Sequence, residues 1–260
     1  LLKRALNIRE TALGPDHPDV AESLTCLVNV NLCQVESTYE YEKAKEYLKP
    51  GSKAEALLNR ALEIREKALG TDHPDVAESL YALGYLSSSI FFLNNGEGDY
   101  EKAETLFKRA LEIYEKALGP DHPYVAETLL SLGELYYIMN YQKKGGDYEK
   151  AETLFKRALE ITKKSFGPEH RKIANVLSEF GGMYTDLGEY DKAEPLLKRA
   201  LEIQEKKLGP DRIETSGTLE KLGWLCWING EYDKAEALYK RALEIQERQL
   251  GPENPELVQT

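Results

Sequence analysis

The residues best suited to chemistry by type and spacing are four histidines, His17, His73, His122 and His170, each preceded by a carboxylate in a recurring loop. Imidazoles beside carboxylates suggest a metal site. A shared zinc ion needs its ligands within about 2 Å, whereas equivalent loops on stacked helices lie about 8–10 Å apart per layer. The expected role is therefore packing beside a helix start, with no metal and no cofactor. The three cysteines, Cys26, Cys33 and Cys226, form no CxxC or Cys/His spacing. Cys26 and Cys33, seven residues apart, can share a helix face as buried thiols. Carboxylates are abundant but distributed along helical patterns. No GxSxG, Walker-type glycine loop, HExxH or strand-borne GxGxxG occurs, which argues against an enzyme.

Net charge is −11. A chain this acidic releases no counterions from polyphosphate and is repelled by anionic lipid, so neither nucleic acid nor a membrane surface is an expected partner. Few, unpaired cysteines fit a reducing, cytoplasmic setting. The longest apolar run, Ile90-Phe91-Phe92-Leu93, is too short to span a bilayer. The chain opens within a helical pattern and without an initiator Met, and so reads as an excerpt of a longer protein.

The elements that must position any site follow from self-comparison. An Arg-Ala-Leu-x-Ile segment recurs with its alanine at positions 5, 61, 110, 158, 200 and 242, and residues 101–113 and 149–161 are identical. The last two spacings are 42 residues, and the earlier ones carry excesses of 14, 7 and 6. Within one unit two amphipathic patterns alternate. Ala193, Leu196, Leu197, Ala200, Leu201 and Leu208 follow a 3.6-residue period. Gly188-Glu-Tyr-Asp marks the start of this second helix, with a carboxylate cap, a capping box completed by Glu194, and Pro195 in the first turn. Gly209-Pro210 ends it. The preceding first helix carries Ala174, Leu177, Phe180, Gly181, Tyr184 and Leu187. Small residues at Gly181, Ala193 and Ala200 let the two backbones approach. Such a helical hairpin cannot cover its own apolar faces, so neighbours must stack. Glu63–Lys67, Glu112–Lys116, Glu160–Lys164, Glu202–Lys206 and Glu244–Arg248 are expected as solvated pairs on the outer face, each contributing about 0.2–0.5 kcal/mol.

The fold class is thus all-α, a solenoid of antiparallel helix hairpins, with lengthened hairpins at the first three inter-helix connections. A half repeat at 1–13 precedes units at 18–69, 74–118, 123–166, 171–208 and 213–250, and a further helix begins at 255–260, making one solenoid over 1–260. Seven extra residues shared between two antiparallel helices add about one turn to each. The first excess contains Pro50-Gly51 and predicts a kink or a short extra helix over 37–53.

Three recurring strings carry a family resemblance: Leu-Gly in the first helix (Leu83-Gly84, Leu132-Gly133, Leu222-Gly223), Gly-[Asp/Glu]-Tyr-x-Lys-Ala, and Lys-Arg-Ala-Leu-Glu-Ile. The chain resembles the tetratricopeptide repeat in its 42-residue, kinesin-light-chain-like and nephrocystin-like form. The resemblance implies a right-handed superhelix whose inner wall is built from the first helix of each hairpin and takes extended peptides. Aligned on the family's helix glycine, the inward positions are Glu78, Tyr81 and Tyr85, then Glu127, Leu130, Glu134 and Tyr137, then Asn175, Ser178, Gly182 and Thr185, then Glu220, Trp224 and Trp227. Glu22, Thr25 and Asn29 correspond in the first copy, where Val28 replaces the glycine. Kinesin light chains carry an Asn-Asn pair on this helix and grip acidic cargo. The matching pairs here are Tyr81-Ala82, Leu130-Ser131, Ser178-Glu179 and Glu220-Lys221, and this acidic, aromatic wall points to a basic or aromatic ligand instead. Trp224 and Trp227 are either groove anchors or packing against the next unit. The leading expectation is a protein- or peptide-binding scaffold. The alternatives are a spacer that self-associates end to end through its truncated repeats, or a regulatory array attached to an enzymatic domain.

Overall fold

The computed structural model describes residues 2–38, 51–93, 99–141 and 147–250. The expected irregularity over 37–53 falls largely outside them, and the further helix expected at 255–260 falls wholly outside them. The described residues contain helices and turns and no strand. The helices are α1 (Leu2–Leu13), α2 (Pro18–Thr38), α3 (Lys53–Leu69), α4 (Pro74–Leu93), α5 (Tyr100–Leu118), α6 (Pro123–Tyr141), α7 (Tyr148–Phe166), α8 (Arg171–Asp186), α9 (Tyr190–Lys207), α10 (Ile213–Ile228) and α11 (Tyr232–Leu250). The chain divides into two compact units, residues 1–151 and 152–260.

In the first unit α1 packs on α2, α2 on α3, α3 on α4, α4 on α5 and α5 on α6. One core cluster joins Leu6 of α1, Val20, Ala21 and Leu24 of α2, and Leu57, Ala61 and Ile64 of α3. In the second unit the same grammar joins Leu159 of α7, Ile173, Ala174 and Leu177 of α8, and Leu196, Ala200 and Ile203 of α9. It recurs with Leu201 of α9, Leu219 of α10, and Leu238, Ala242 and Ile245 of α11. α2, α4, α8 and α10 are therefore each sandwiched between the second helix of their own hairpin and that of the one before. Full burial of a leucine or isoleucine, as at Leu24, Ile173, Leu219 and Ile245, stabilises by about 1.5–3 kcal/mol.

Close approach within a hairpin is set by the helix glycine. A Cβ on Gly84 would lie 2.8 Å from Phe107 Cε1, and one on Gly181 would lie 2.7 Å from Leu197 Cγ. The expected lengthening falls mainly on the first helix, which has 20 residues in α4 and 19 in α6 against 16 in α8.

The loop histidines are helix caps. In each loop Nδ1 accepts a backbone N–H two residues on: Asp19 for His17 (3.2 Å), Asp75 for His73 (3.2 Å), Tyr124 for His122 (3.2 Å) and Lys172 for His170 (3.3 Å). This satisfies one of the unpaired amides of the first turn. The preceding glycine, as at Gly70 (φ 86°) and Gly119 (φ 91°), takes the left-handed conformation that ends α3 and α5.

Three local expectations are corrected. Asp99 and Asp147 cap α5 and α7 through their carboxylates, at 3.0 and 3.1 Å. Glu189, however, makes no side-chain cap at α9 and pairs with Lys192, its longer side chain reaching past the first amides. Glu194 closes no capping box; it pairs with Lys198 at 2.6 Å. Pro195 lies in the second turn of α9, not the first, and so removes the hydrogen bond its residue would have given to Asp191. The outer ion pairs also differ from those expected. Glu244–Arg248 is present at 3.8 Å, but Lys116 pairs with Asp72, and Lys206 with Glu169 at 2.7 Å, each reaching the loop before the preceding first helix. The i,i+4 pairs that recur along the outside are Glu104–Lys108, Glu152–Lys156, Glu194–Lys198 and Glu236–Lys240. Arg60–Glu10 (2.8 Å), Arg109–Glu66 (2.6 Å) and Arg241–Glu205 (2.6 Å) tie one hairpin's second helix to the previous one.

Candidate functional site: a tyrosine and carboxylate groove

The first unit holds a groove of about 420 Å³. Thr25 and Asn29 come from α2, Glu78, Tyr81, Ala82 and Tyr85 from α4, Tyr114 from the end of α5, and Tyr124, Glu127 and Thr128 from the start of α6. Three successive first helices thus form the wall, and one second helix contributes the floor.

In the first three copies floor and wall are joined by the residue directly after the Arg-Ala-Leu-x-Ile segment. That position holds Arg9, Arg65, Tyr114, Thr162, Gln204 and Gln246 in successive copies. Arg9 donates from Nη1 to the Asp19 carbonyl (2.8 Å), the Glu22 carboxylate (2.8 Å) and the Ser23 hydroxyl (2.7 Å). Arg65 repeats the arrangement one copy on. Its guanidinium is buried, donates to the Asp75 carbonyl (3.0 Å) and Ser79 Oγ (2.8 Å), and pairs with Glu78 at 2.8 Å. Tyr114 takes this place in the third copy, with its ring 5.3 Å from that of Tyr124. In the fifth copy Gln204 is buried and its Oε1 has no partner.

Two carboxylates line the groove, Glu127 and the Arg65-paired Glu78. Burial, with the Glu134 and Glu127 charges adding to it, pushes the Tyr81 phenol up to about 12 even though its hydroxyl shares a hydrogen bond with Ser131 (3.1 Å). Burial also raises the Tyr114 phenol, followed in effect by Glu78. Cys26 on α2, expected as a buried thiol, is instead exposed; partial desolvation and then Glu22 and Glu78 raise its pKa. Desolvation leads in each case and neighbouring carboxylates add to it, while Arg9 and Arg65 act in the opposite sense on Cys26.

Of the wall residues expected from sequence, Glu78, Tyr81, Tyr85 and Glu127 line this groove together with Thr25 and Asn29. Leu130, Glu134 and Tyr137 lie further along α6, each partly buried, with the Tyr137 ring 6.3 Å from that of Tyr148. Ser178 is not an open wall residue. It is buried, and its hydroxyl shares a 3.1 Å hydrogen bond with Thr218 between α8 and α10. Thr185 is likewise buried, bonding the Gly181 carbonyl at 2.9 Å. Asn175 is exposed, and Gly182 lies against the Lys221 stem. Glu220 accepts from Gln246 Nε2 at 2.5 Å, and burial holds its carboxyl above the usual range. Trp224 and Trp227 are 44% and 51% exposed and stack on each other, centroids 5.1 Å apart and planes 13° apart, so they are surface residues and not core.

Tyr114 and Tyr124 escaped the sequence reading. The signal was there: Tyr114 replaces the Arg of two earlier copies, and Tyr124 breaks the His-Pro-Asp pattern to His-Pro-Tyr. Aligning inward positions on the first helix alone hides a floor residue carried by the second.

Comparison with known proteins agrees with this architecture. Solved structures similar to the chain include BtubC (BKLC) from P. vanneervenii, with TM-score 0.67 and 22% identity over 96% of this chain and 88% of that one. A putative kinesin light chain with nearly identical TPR-like repeats from Podosopora anserina gives TM-score 0.58 and 21% identity, covering 89% of this chain and 97% of that one. The apo form of RapI gives TM-score 0.54 and 16% identity over 94% and 90%. These likenesses concern the fold. No curated protein matches the sequence. Among the described residues, no helix is long and apolar enough to cross a membrane. One tetratricopeptide repeat model matches residues 92–144 and 172–248, half of the chain, and a second matches 1–19, 52–75 and 125–172. With stacked hairpins, a close-packed helix glycine and these matches, the chain belongs to the tetratricopeptide repeat family.

Proposed function

We propose that this protein is a non-catalytic interaction scaffold whose first unit binds an extended segment of a partner protein along the groove walled by α2, α4 and α6. The observation that carries the reading is the composition of that groove, where tyrosine faces alternate with Glu78 and Glu127. Tyrosine offers large contact area at little entropic cost, and desolvated aromatic pockets are where interface energy concentrates. Carboxylates beside them favour a basic or aromatic segment over an acidic one. In the second unit the exposed Trp224–Trp227 stack supplies a separate contact face of the same kind.

An unbiased peptide array tests this, with the intact chain as probe and Tyr85→Ala, Glu127→Lys, Trp224→Ala and Trp227→Ala as controls. Selective retention of basic or aromatic peptides, weakened about tenfold or more by Tyr85→Ala or Glu127→Lys, is the expected result. Peptide binding that all four substitutions leave unchanged refutes the assignment.

A further inference from the structure

The loop that opens α8 breaks the charge pattern of its counterparts. The first two copies read His17-Pro18-Asp19 and His73-Pro74-Asp75 at this helix start, and the fourth reads His170-Arg171-Lys172. Asp19 and Asp75 place an anion in the first turn, where the helix dipole favours one. Arg171 and Lys172 place two cations there, which the same dipole disfavours. Arg171 gains nothing inside the chain in return, being exposed and forming no ion pair among the described residues. The end of α9 changes in the same direction. Lys207 stands where the second and third copies have Ala68 and Ala117, and it too is exposed without an ion pair among the described residues. After desolvation, Arg171, Lys172 and Lys207 all lower the His170 pKa, so their charges converge on one imidazole. Glu169, the carboxylate of this loop, is engaged by Lys206 at 2.7 Å and Arg199 at 3.6 Å. The nearby carboxylates of α9 and the next loop pair elsewhere, Glu205 with Arg241 and Asp211 with Arg248. Beside the cations lies Phe166, 37% exposed, stacked on His170 with centroids 4.6 Å apart and 5.2 Å from Lys172 Nζ.

We infer that this basic corner of the second unit, built from Phe166, Arg171, Lys172 and Lys207, is a second interaction surface and takes an acidic segment of a partner protein. It is independent of the groove reading, whose ligand carries the opposite charge. Charge complementarity selects the occupant. The Arg171 guanidinium presents a fork that matches a carboxylate, and Lys207 adds a point charge for a second one. The exposed Phe166 ring gives an apolar neighbour of the acidic residues a surface to cover. Nucleic acid and anionic membrane bring extended negative surfaces against a chain of net charge −11, whereas a short acidic segment meets the corner alone.

The test uses the intact chain and two dye-labelled twelve-residue peptide pools read by fluorescence polarisation. Both have randomised flanks; one has a fixed central Asp-Glu-Leu-Asp-Glu and the other its amide counterpart, Asn-Gln-Leu-Asn-Gln. The acidic pool is expected to bind about tenfold or more tighter, a preference that disappears as salt shortens the Debye length to about 3 Å at about 1 M. Arg171→Pro/Lys172→Asp restores the loop of the first two copies, and Lys207→Ala restores the α3 and α5 ends. Each should remove most of the preference with helical circular dichroism retained and amide-pool binding unchanged. If the double variant does not fold, Arg171→Gln and Lys207→Ala, both at exposed positions, carry the test. Tyr85→Ala and Glu127→Lys should leave acidic binding unchanged, so the corner and the groove report separately. Equal binding of the two pools, or an acidic preference that survives Arg171→Gln and Lys207→Ala, overturns the corner. Tighter binding of a twelve-nucleotide single strand or of phosphatidylserine vesicles than of the acidic pool overturns the choice of a protein partner.

Discussion

Two glycines in the second unit should respond in opposite directions to the same substitution. Gly217 sits inside α10 with no atom within 4 Å of the place where a Cβ would stand. Alanine there removes backbone freedom from the unfolded chain and meets nothing, so Gly217→Ala should stabilise by about 0.4–1 kcal/mol. Gly181 sits inside α8, where an added Cβ would lie 2.7 Å from Leu197 Cγ and 2.8 Å from its Cδ2. Unstrained carbon contacts are about 3.5–4.0 Å, so about 1 Å of overlap must be relieved. Leu197 is fully buried and has no solvent to move into. Overpacking of this kind costs about 1–3 kcal/mol. After subtracting the helix-propensity gain of about 1 kcal/mol, Gly181→Ala should be destabilising by up to about 2 kcal/mol.

The two variants are then separated by about 1–3 kcal/mol, the packing contribution alone, because the backbone effect is common to both. For a chain of this size that is several degrees, at about 2–4 °C per kcal/mol. Thermal unfolding followed by circular dichroism at 222 nm reads the difference directly, and urea unfolding checks it where stacked hairpins melt in steps. Gly181→Ala melting at or above the parent refutes the claim that this glycine sets the helix spacing. Gly217→Ala melting below the parent refutes the claim that α10 is open there.

Arg65→Ala removes a buried guanidinium with three partners and should destabilise the first unit by about 2–3 kcal/mol; Glu78 is half exposed and rehydrates, so the loss falls on the hydrogen bonds, read by urea unfolding. Desolvation, then Arg171 and Lys172, lowers the His170 pKa below its ordinary value. A depressed folded-state pKa stabilises fully above the unfolded value near 6.5, and that contribution is lost as pH falls through the folded value. The melting temperature should therefore decline below about pH 6.5, and His170→Asn, which keeps a capping acceptor without titrating, should flatten that part of the profile. Trp224 and Trp227 are the only tryptophans in the chain and both are exposed. Intrinsic fluorescence should be fully accessible to acrylamide, and Trp224→Ala or Trp227→Ala should leave the melting temperature nearly unchanged; a blue-shifted, unquenched emission contradicts the surface placement.

The hairpins were legible because their signal is repeated. A 42-residue period, a 3.6-residue apolar stripe and the identical segments 101–113 and 149–161 all require the same stacked helices, and the structure has them. Cap chemistry was less legible, since it depends on side-chain length. Asp99 reaches its amide where Glu189 does not, and nothing in the spacing distinguishes them. The histidines were correctly placed at helix starts, but their role as acceptors appears only once Nδ1 is seen facing an N–H. The outer ion pairs were misread for a related reason. Lys116 and Lys206 stand four residues beyond a glutamate, yet a carboxylate in the stacked loop of the preceding hairpin competes for each.

The groove was legible by half, and the reason lies in how a solenoid diversifies. The core positions cannot vary without breaking the stack: Ala61, Ala110, Ala158, Ala200 and Ala242 are all fully buried. The next buried position that varies freely among the copies is the one after Arg-Ala-Leu-x-Ile, where arginine, tyrosine, threonine and glutamine all occur. In the first three copies it touches the following first helix, whereas Gln246 bonds Glu220 on the preceding one. Arginine there bonds the Asp19 and Asp75 carbonyls and the serines that follow, whereas in the third copy Thr128 Oγ1 bonds the Tyr124 carbonyl and Tyr114 sets its ring against that of Tyr124. Comparing copies with one another at this seam, and not only with a family pattern along the first helix, is what brings Tyr114 and Tyr124 into view as groove residues.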